Sequence, residues 1–146
     1  MSLSEKMDVL VVEDDFLIAQ EIADELHAMG IDKVQLAASV SQGERCLRKN
    51  KFAFAILDVN LGSDLVFPLA EKLSRKEIPF IFCTAAAARD MPAKWARFPT
   101  LHKPFDRESL AELMPTLFAR SAGAAPNIAE PRAGLGRWPA AIFRSG

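Results

Sequence analysis

The stretch Phe54-Ala55-Ile56-Leu57-Asp58-Val59-Asn60-Leu61-Gly62 decides how the rest of the chain is read. Four apolar residues, with Ala53 just ahead of them, run without alternation into a carboxylate. A half-buried strand alternates apolar and polar positions. An unbroken apolar run ending in turn residues fits a strand buried on both faces, as in a parallel sheet. Asp58 stands where that strand gives way to a loop carrying Asn60 and Gly62. In open α/β sheets, chemistry gathers at the carboxyl ends of the strands. Asp58 is therefore a candidate reactive group, and the next question is which other strand ends arrive beside it.

Val9-Leu10-Val11-Val12 is a second fully apolar run, and it ends in Glu13-Asp14-Asp15. One carboxylate suffices to cap the helix that follows, and Asp15 is placed to do so. Glu13 and Asp14 are then surplus and point to a cation. Ile18, Ile22 and Leu26 recur at helical spacing, which predicts a helix from Asp15 to Met29, ended by Gly30. Val34 to Ala38 is expected as a short strand. Ser41 to Lys49 is expected as a helix, with Ser41 as cap and Glu44 completing a capping box. Beyond the central strand, Ser63 or Asp64 is the expected cap of a helix through Arg75, with Pro68 near its first turn. Pro79 to Thr84 is a further apolar strand. Ala85 to Trp95 is ambiguous between short helix and irregular chain. Thr100-Leu101-His102 is a weak last strand, followed by Lys103-Pro104-Phe105. Asp106 then caps a helix that Pro115 is expected to kink or interrupt.

Strand and helix thus alternate five times. That order predicts a doubly wound five-stranded parallel sheet, strand order 2-1-3-4-5, with helices on both faces, the flavodoxin-like α/β arrangement. The expected division is a domain over residues 7–120 and a flexible tail over 121–146, where Ala, Gly, Pro and Arg dominate and no period survives. Trp138, Ile142 and Phe143 in that tail read either as a disordered end or as a segment that docks on the domain or a partner. Phe16, Phe52, Phe54, Phe80 and Phe82 read as core or core edge, Cys83 as a buried apolar residue. His27 reads as a surface histidine and His102 as a strand-end packing residue.

The 146 residues carry a formal net charge of -1, which gives no bulk reason to expect nucleic-acid or membrane binding. The balance is uneven. From Ala119 onward Arg120, Arg132, Arg137 and Arg144 face only Glu130, so that part is +3 and the remainder -4. Cys46 and Cys83 have neither zinc-site nor disulfide-framework spacing. No signal peptide or membrane-length apolar stretch is present, so a cytoplasmic protein is expected.

In the proposed strand order the ends of strands one, three, four and five lie together. They bring Glu13 and Asp14, Asp58, Thr84 and Lys103 to one rim. This set suits a phosphoryl-accepting site. Asp58 would be the nucleophile that forms an acyl phosphate. Clustered carboxylates repel one another and call for a cation, and hard oxygen ligands with open positions suit Mg²⁺. Asp14 and Asp58 would be direct ligands and Glu13 a ligand through water. Lys103 and Thr84 would bind phosphoryl oxygens.

Val9-Leu10-Val11-Val12-Glu13-Asp14-Asp15, Ile56-Leu57-Asp58-Val59-Asn60-Leu61, Phe82-Cys83-Thr84-Ala85 and Lys103-Pro104-Phe105 together resemble the receiver domain of two-component response regulators. The resemblance spans about residues 7 to 120. It implies that a sensor histidine kinase or a histidine phosphotransfer protein donates a phosphoryl group to Asp58. It also implies Mg²⁺ dependence, the backbone carbonyl of Asn60 as a further metal ligand, and a cis Lys103–Pro104 peptide. Pro79 to Thr84, with Val66-Phe67-Pro68-Leu69, further resembles short stand-alone receivers of alphaproteobacteria. Those commonly carry glycine after the threonine, where Ala85 and Ala86 stand here. Thr100 occupies the position of the aromatic that swings inward in many receivers.

The expectation is a single-domain response regulator that signals by protein–protein interaction or phosphorelay through an unknown downstream protein. No output domain fits after residue 120, and homodimerisation is left open. A degenerate receiver acting as a constitutive binding module is one rival. A Mg²⁺-dependent aspartyl phosphohydrolase of the haloacid-dehalogenase type is another, but it would carry a second Asp where Asn60 stands. A dinucleotide-binding domain is excluded, because Glu13-Asp14-Asp15-Phe16 has no glycine and would repel a pyrophosphate.

Overall fold

The computed structural model describes residues 8–85 and 91–121, with the side chains of 116 and 118–121 left aside. The expected tail over 121–146, with Trp138, Ile142 and Phe143, therefore lies outside the described residues apart from Ser121. In chain order the elements are β1 (Asp8–Val12), α1 (Phe16–Ala28), β2 (Lys33–Ala37), α2 (Val40–Lys49), β3 (Phe54–Asp58), β4 (Asn60–Leu61), β5 (Asp64–Leu65), α3 (Phe67–Arg75), β6 (Phe80–Thr84), β7 (Thr100–His102) and α4 (Arg107–Ser121).

The five main strands form one sheet in the order β2-β1-β3-β6-β7, every pair parallel. This is the order expected from the alternation of strands and helices. All five residues of β3 and all five of β6 are buried. Such continuous burial requires cover on both faces, which is why these strands read as unbroken apolar runs. The registers are set by the same runs: Val12 lies beside Leu57, and Asp58 beside Cys83. The order reverses between β1 and β3, and that switch point is where Glu13 and Asp58 emerge.

The helices follow their local signals with some corrections. Asp15 caps α1, accepting from the Leu17 and Ile18 amides, and the chain turns off at Gly30 with φ 95°. The cap of α2 is Ser39, not Ser41: its hydroxyl accepts from the Gln42 amide, while the Gln42 side chain accepts from the Ala38 amide. The reciprocal pair is thus Ser–Gln, two residues earlier than expected. Neither Ser63 nor Asp64 caps α3. Gly62, with φ 69°, makes the turn of a short antiparallel hairpin, β4–β5, a turn that needs a positive φ. The Val66 amide donates to the Val59 carbonyl, and Leu61 and Val66 are buried, so the chain folds back before the helix can begin. Pro68 falls within the first two positions of α3, where its missing N–H costs nothing. In α4, Asp106 accepts from the Ser109 amide, but Pro115 does not end the helix. Pro115 and Ala111, whose carbonyl loses its donor, both lie on the solvent side, where water can replace the bond.

Residues 91–98 are turns that carry Trp95 and Phe98 into an aromatic cluster with Phe67, Phe80 and Phe82. Phe52, Phe54, Phe80 and Phe82 are buried as expected. Phe16 is not: it is 69% exposed, because it opens α1 at the rim, beyond the reach of the sheet. His102 is exposed rather than packed, since β7 is an edge strand. His27 is exposed, with Nδ1 2.8 Å from the Ile31 carbonyl.

Candidate functional site

The rim is assembled from strand ends. β1 delivers Glu13, whose backbone amide is held by the Ala37 carbonyl at 2.9 Å. β3 delivers Asp58 and β6 Thr84. The Lys103 amide donates to the Thr84 carbonyl at 2.9 Å, which ties the end of β7 to the end of β6. The Lys103–Pro104 peptide is cis.

The side chains converge. Oxygens of Glu13, Asp14 and Asp58 all lie within 4.8 Å of one another. Lys103 Nζ donates to Glu13 Oε1 at 2.5 Å and sits 3.4 Å from Asp58 Oδ2. The other Glu13 oxygen accepts from the Asp15 amide at 3.1 Å. Glu13 and Asp58 are buried, Asp14 is exposed, and Thr84 is fully buried. Asn60 opens β4, and its backbone hydrogen-bonds the Asp58 carboxylate. The site is therefore a half-open acidic pocket with one cation at its wall.

Burial pushes the Asp58 carboxyl up to about 7, and the hydrogen bond and negative charge of Glu13 push the same way. Lys103 and the Asn60 backbone pull against them and lose. Burial alone would lower the Lys103 ammonium, but the Glu13 hydrogen bond and the nearby carboxylates outweigh it, so Lys103 stays charged. The Cys83 thiol, beside Asp58 in the ladder, is pushed up to about 12 by burial and is inert as a nucleophile.

The donor set tests well for a small hard cation: three carboxylates, oxygen only, one of them exposed and open to water. A burial-raised Asp58 beside Glu13 is the electrostatic state that a divalent cation relieves.

Sequence reasoning brought Glu13, Asp14, Asp58, Thr84 and Lys103 to one rim, and the structure places them there. It missed the Glu13–Lys103 ion pair, having assigned one residue to the metal and the other to a phosphoryl group. The available signal was opposite charge at two strand ends of the same rim.

A switch-point pocket of carboxylates and lysine on a five-stranded parallel sheet defines a class, and the family comparison agrees. The response regulator receiver domain family matches residues 9–114, and the chain belongs to that family. Among solved structures it is similar to SdrG from Sphingomonas melonis Fr1, at 31% identity and TM-score 0.70, covering 80% of this chain and 98% of that one. The BeF3-activated conformation of SdrG, from Pseudomonas melonis Fr1, is 31% identical with TM-score 0.68, covering 76% and 95%. TrrA from Thermotoga maritima in complex with Mg(2+)-BeF, at 22% identity and TM-score 0.67, covers 76% and 98% and shares the fold. No curated protein sequence matches the chain.

Proposed function

We propose that the chain accepts a phosphoryl group on Asp58 from a sensor histidine kinase or a histidine phosphotransfer protein. It then signals by protein–protein interaction or by passing the group along a relay. The observation that supports this most is the pocket in which Glu13, Asp14, Asp58 and Lys103 meet. An Asp58 carboxylate oxygen attacks phosphorus; the P–N bond of the donor phosphohistidine breaks, and its nitrogen leaves with the bonding pair as imidazole. Lys103 holds negative charge on the transferring oxygens, and Thr84, at the adjacent strand end, donates a hydrogen bond to them. To do so, Lys103 exchanges part of its contact with Glu13 for the phosphoryl oxygens.

Asp14, Asp58, the Asn60 carbonyl and, through water, Glu13 would hold Mg²⁺. When bound, Mg²⁺ keeps Asp58 ionised near neutral pH and offsets charge on the phosphoryl oxygens. The acyl phosphate carries about 1.5 to 2 negative charges where the carboxylate carried one, so the rim gains up to about one negative charge and three phosphoryl oxygens, and this is the signal that a partner reads. That rim lies beside the β4–β5 hairpin and the exposed Phe16, 69% accessible, and Leu17, 72%. SdrG has been studied in a BeF3-activated conformation, which supports the same reading here.

Purified protein incubated with acetyl phosphate and Mg²⁺ tests the assignment of Lys103. Lys103→Ala is expected to cut the phosphorylation rate at least tenfold while leaving Mg²⁺ binding intact. Wild-type rates in Lys103→Ala would remove Lys103 from the site.

A further inference from the structure

At the end of the sheet opposite Asp58, α2 runs into β3 and α3 runs into β6. Between these two connections lies a cleft of about 620 Å³. Arg48, Lys49, Lys51 and Lys76 ring it, and Phe52 and Ile78 form part of its wall. All four cations are exposed, and none makes an ion pair with another described residue; Lys72, nearby on α3, pairs with Glu44 instead.

Helix ends account for part of this cluster. Arg48 and Lys49 lie in the last turn of α2, and Lys76 caps the end of α3. Each helix carries about half a negative unit at that end, so two ends offset roughly one of the four charges and leave about three. Four like charges lining one cleft give it a positive potential that favours an anionic ligand. The wall is apolar where Phe52 is buried and Ile78 half-buried, which suits a ligand with a flat or apolar body.

We propose that this cleft is a binding site for a small organic polyanion with an apolar body, of nucleoside polyphosphate chemistry. Its volume falls within the roughly 300–1,000 Å³ typical of small-molecule pockets. Lys49, Lys51 and Lys76 act as point charges for phosphate oxygens, and Arg48 offers a bidentate fork. A long polyanion is disfavoured. Nucleic-acid surfaces spread their cations along a face and draw on long-range attraction, whereas the chain before Ala119 carries -4. The site is separate from the acidic rim and does not depend on Asp58 chemistry.

Calorimetric titration of the full chain with ATP, in EDTA so that no divalent cation enters the acidic pocket, tests this. ATP is expected to bind saturably, tripolyphosphate more weakly for want of an apolar body, and adenosine not measurably. Lys51→Glu with Lys76→Glu should weaken ATP at least tenfold. Lys33→Glu with Arg97→Glu, an equal charge change at exposed positions elsewhere, should not. Circular dichroism checks folding, and Arg48→Gln with Lys49→Gln carries the test if the first variant misfolds. The proposal is overturned by absence of saturable ATP binding at millimolar concentration, or by equal weakening in the control variant. Tighter binding of an oligonucleotide or an acidic peptide than of ATP would also overturn it.

Discussion

Asp58 is where burial, Glu13 and Lys103 meet, and its proton reports the balance among them. The folded state raises this carboxyl from an ordinary 3.8 to about 7. Between those values the folded protein binds more protons than the unfolded chain, so stability falls as pH rises through that window. The cost is absent below about pH 4 and complete above about pH 7. In EDTA, Asp58→Asn should therefore stabilise the protein at pH 8 by about 1–3 kcal/mol, and the gain should shrink toward zero near pH 4. Urea unfolding at several pH values measures it, and a gain that grew as pH fell would contradict the assignment. At this scale the strand-end residues were legible, because a strand that stops fixes where its last side chain emerges. The Glu13–Lys103 contact was not, since nothing in the pattern says which neighbours a long side chain chooses. The exposure of Phe16 was hidden for a similar reason: an aromatic opening a helix looks the same in sequence whether it faces the sheet or overhangs it.

Among the elements, α2 and α3 pack at Gly43. A Cβ placed there would stand 2.7 Å from Leu69 Cδ2, and Leu69 is fully buried. Gly43→Ala should destabilise the fold by about 1 kcal/mol, overpacking of 1–3 kcal/mol being partly offset by better helix propensity. An unchanged or higher denaturation midpoint would show that Leu69 moves aside freely. In α4, Pro115 lies in the helix interior and is exposed. Pro115→Ala should stabilise by about 1–3 kcal/mol, raising the thermal midpoint by several degrees, because it restores an amide donor and removes the ring clash. Helix positions were readable from apolar spacing, but two starts were not. Ser39 and Ser41 offer the same hydroxyl, and the Gln42 reach-back decides between them. The β4–β5 hairpin is only two residues per strand, too short for a periodic signal, and rests on the turn at Gly62.

On the scale of the whole molecule, strand order was legible because five strand segments, three of them unbroken apolar runs, alternate with helices and so admit few right-handed parallel arrangements. The charge distribution was legible only in part. Counting along the chain separates residues before and after Ala119, but folding makes a second grouping, with Glu13, Asp14 and Asp58 at the carboxyl ends of the strands and a cleft ringed by Arg48, Lys49, Lys51 and Lys76 at the opposite end. Among the described residues no helix is long and apolar enough to cross a membrane. Mg²⁺ held only by the folded pocket should stabilise the whole domain by about 1.4 kcal/mol at ten times its dissociation constant, read as a rise in thermal midpoint. Asp58→Asn should diminish that rise, and an equal rise in the variant would place the cation elsewhere. The most direct test is intact-mass spectrometry after incubation with acetyl phosphate, on wild type and Asp58→Asn, each with Mg²⁺ and with EDTA. A single added phosphoryl group in wild type with Mg²⁺, and in none of the other three samples, is the predicted result. The same gain in Asp58→Asn, or in EDTA, would contradict it.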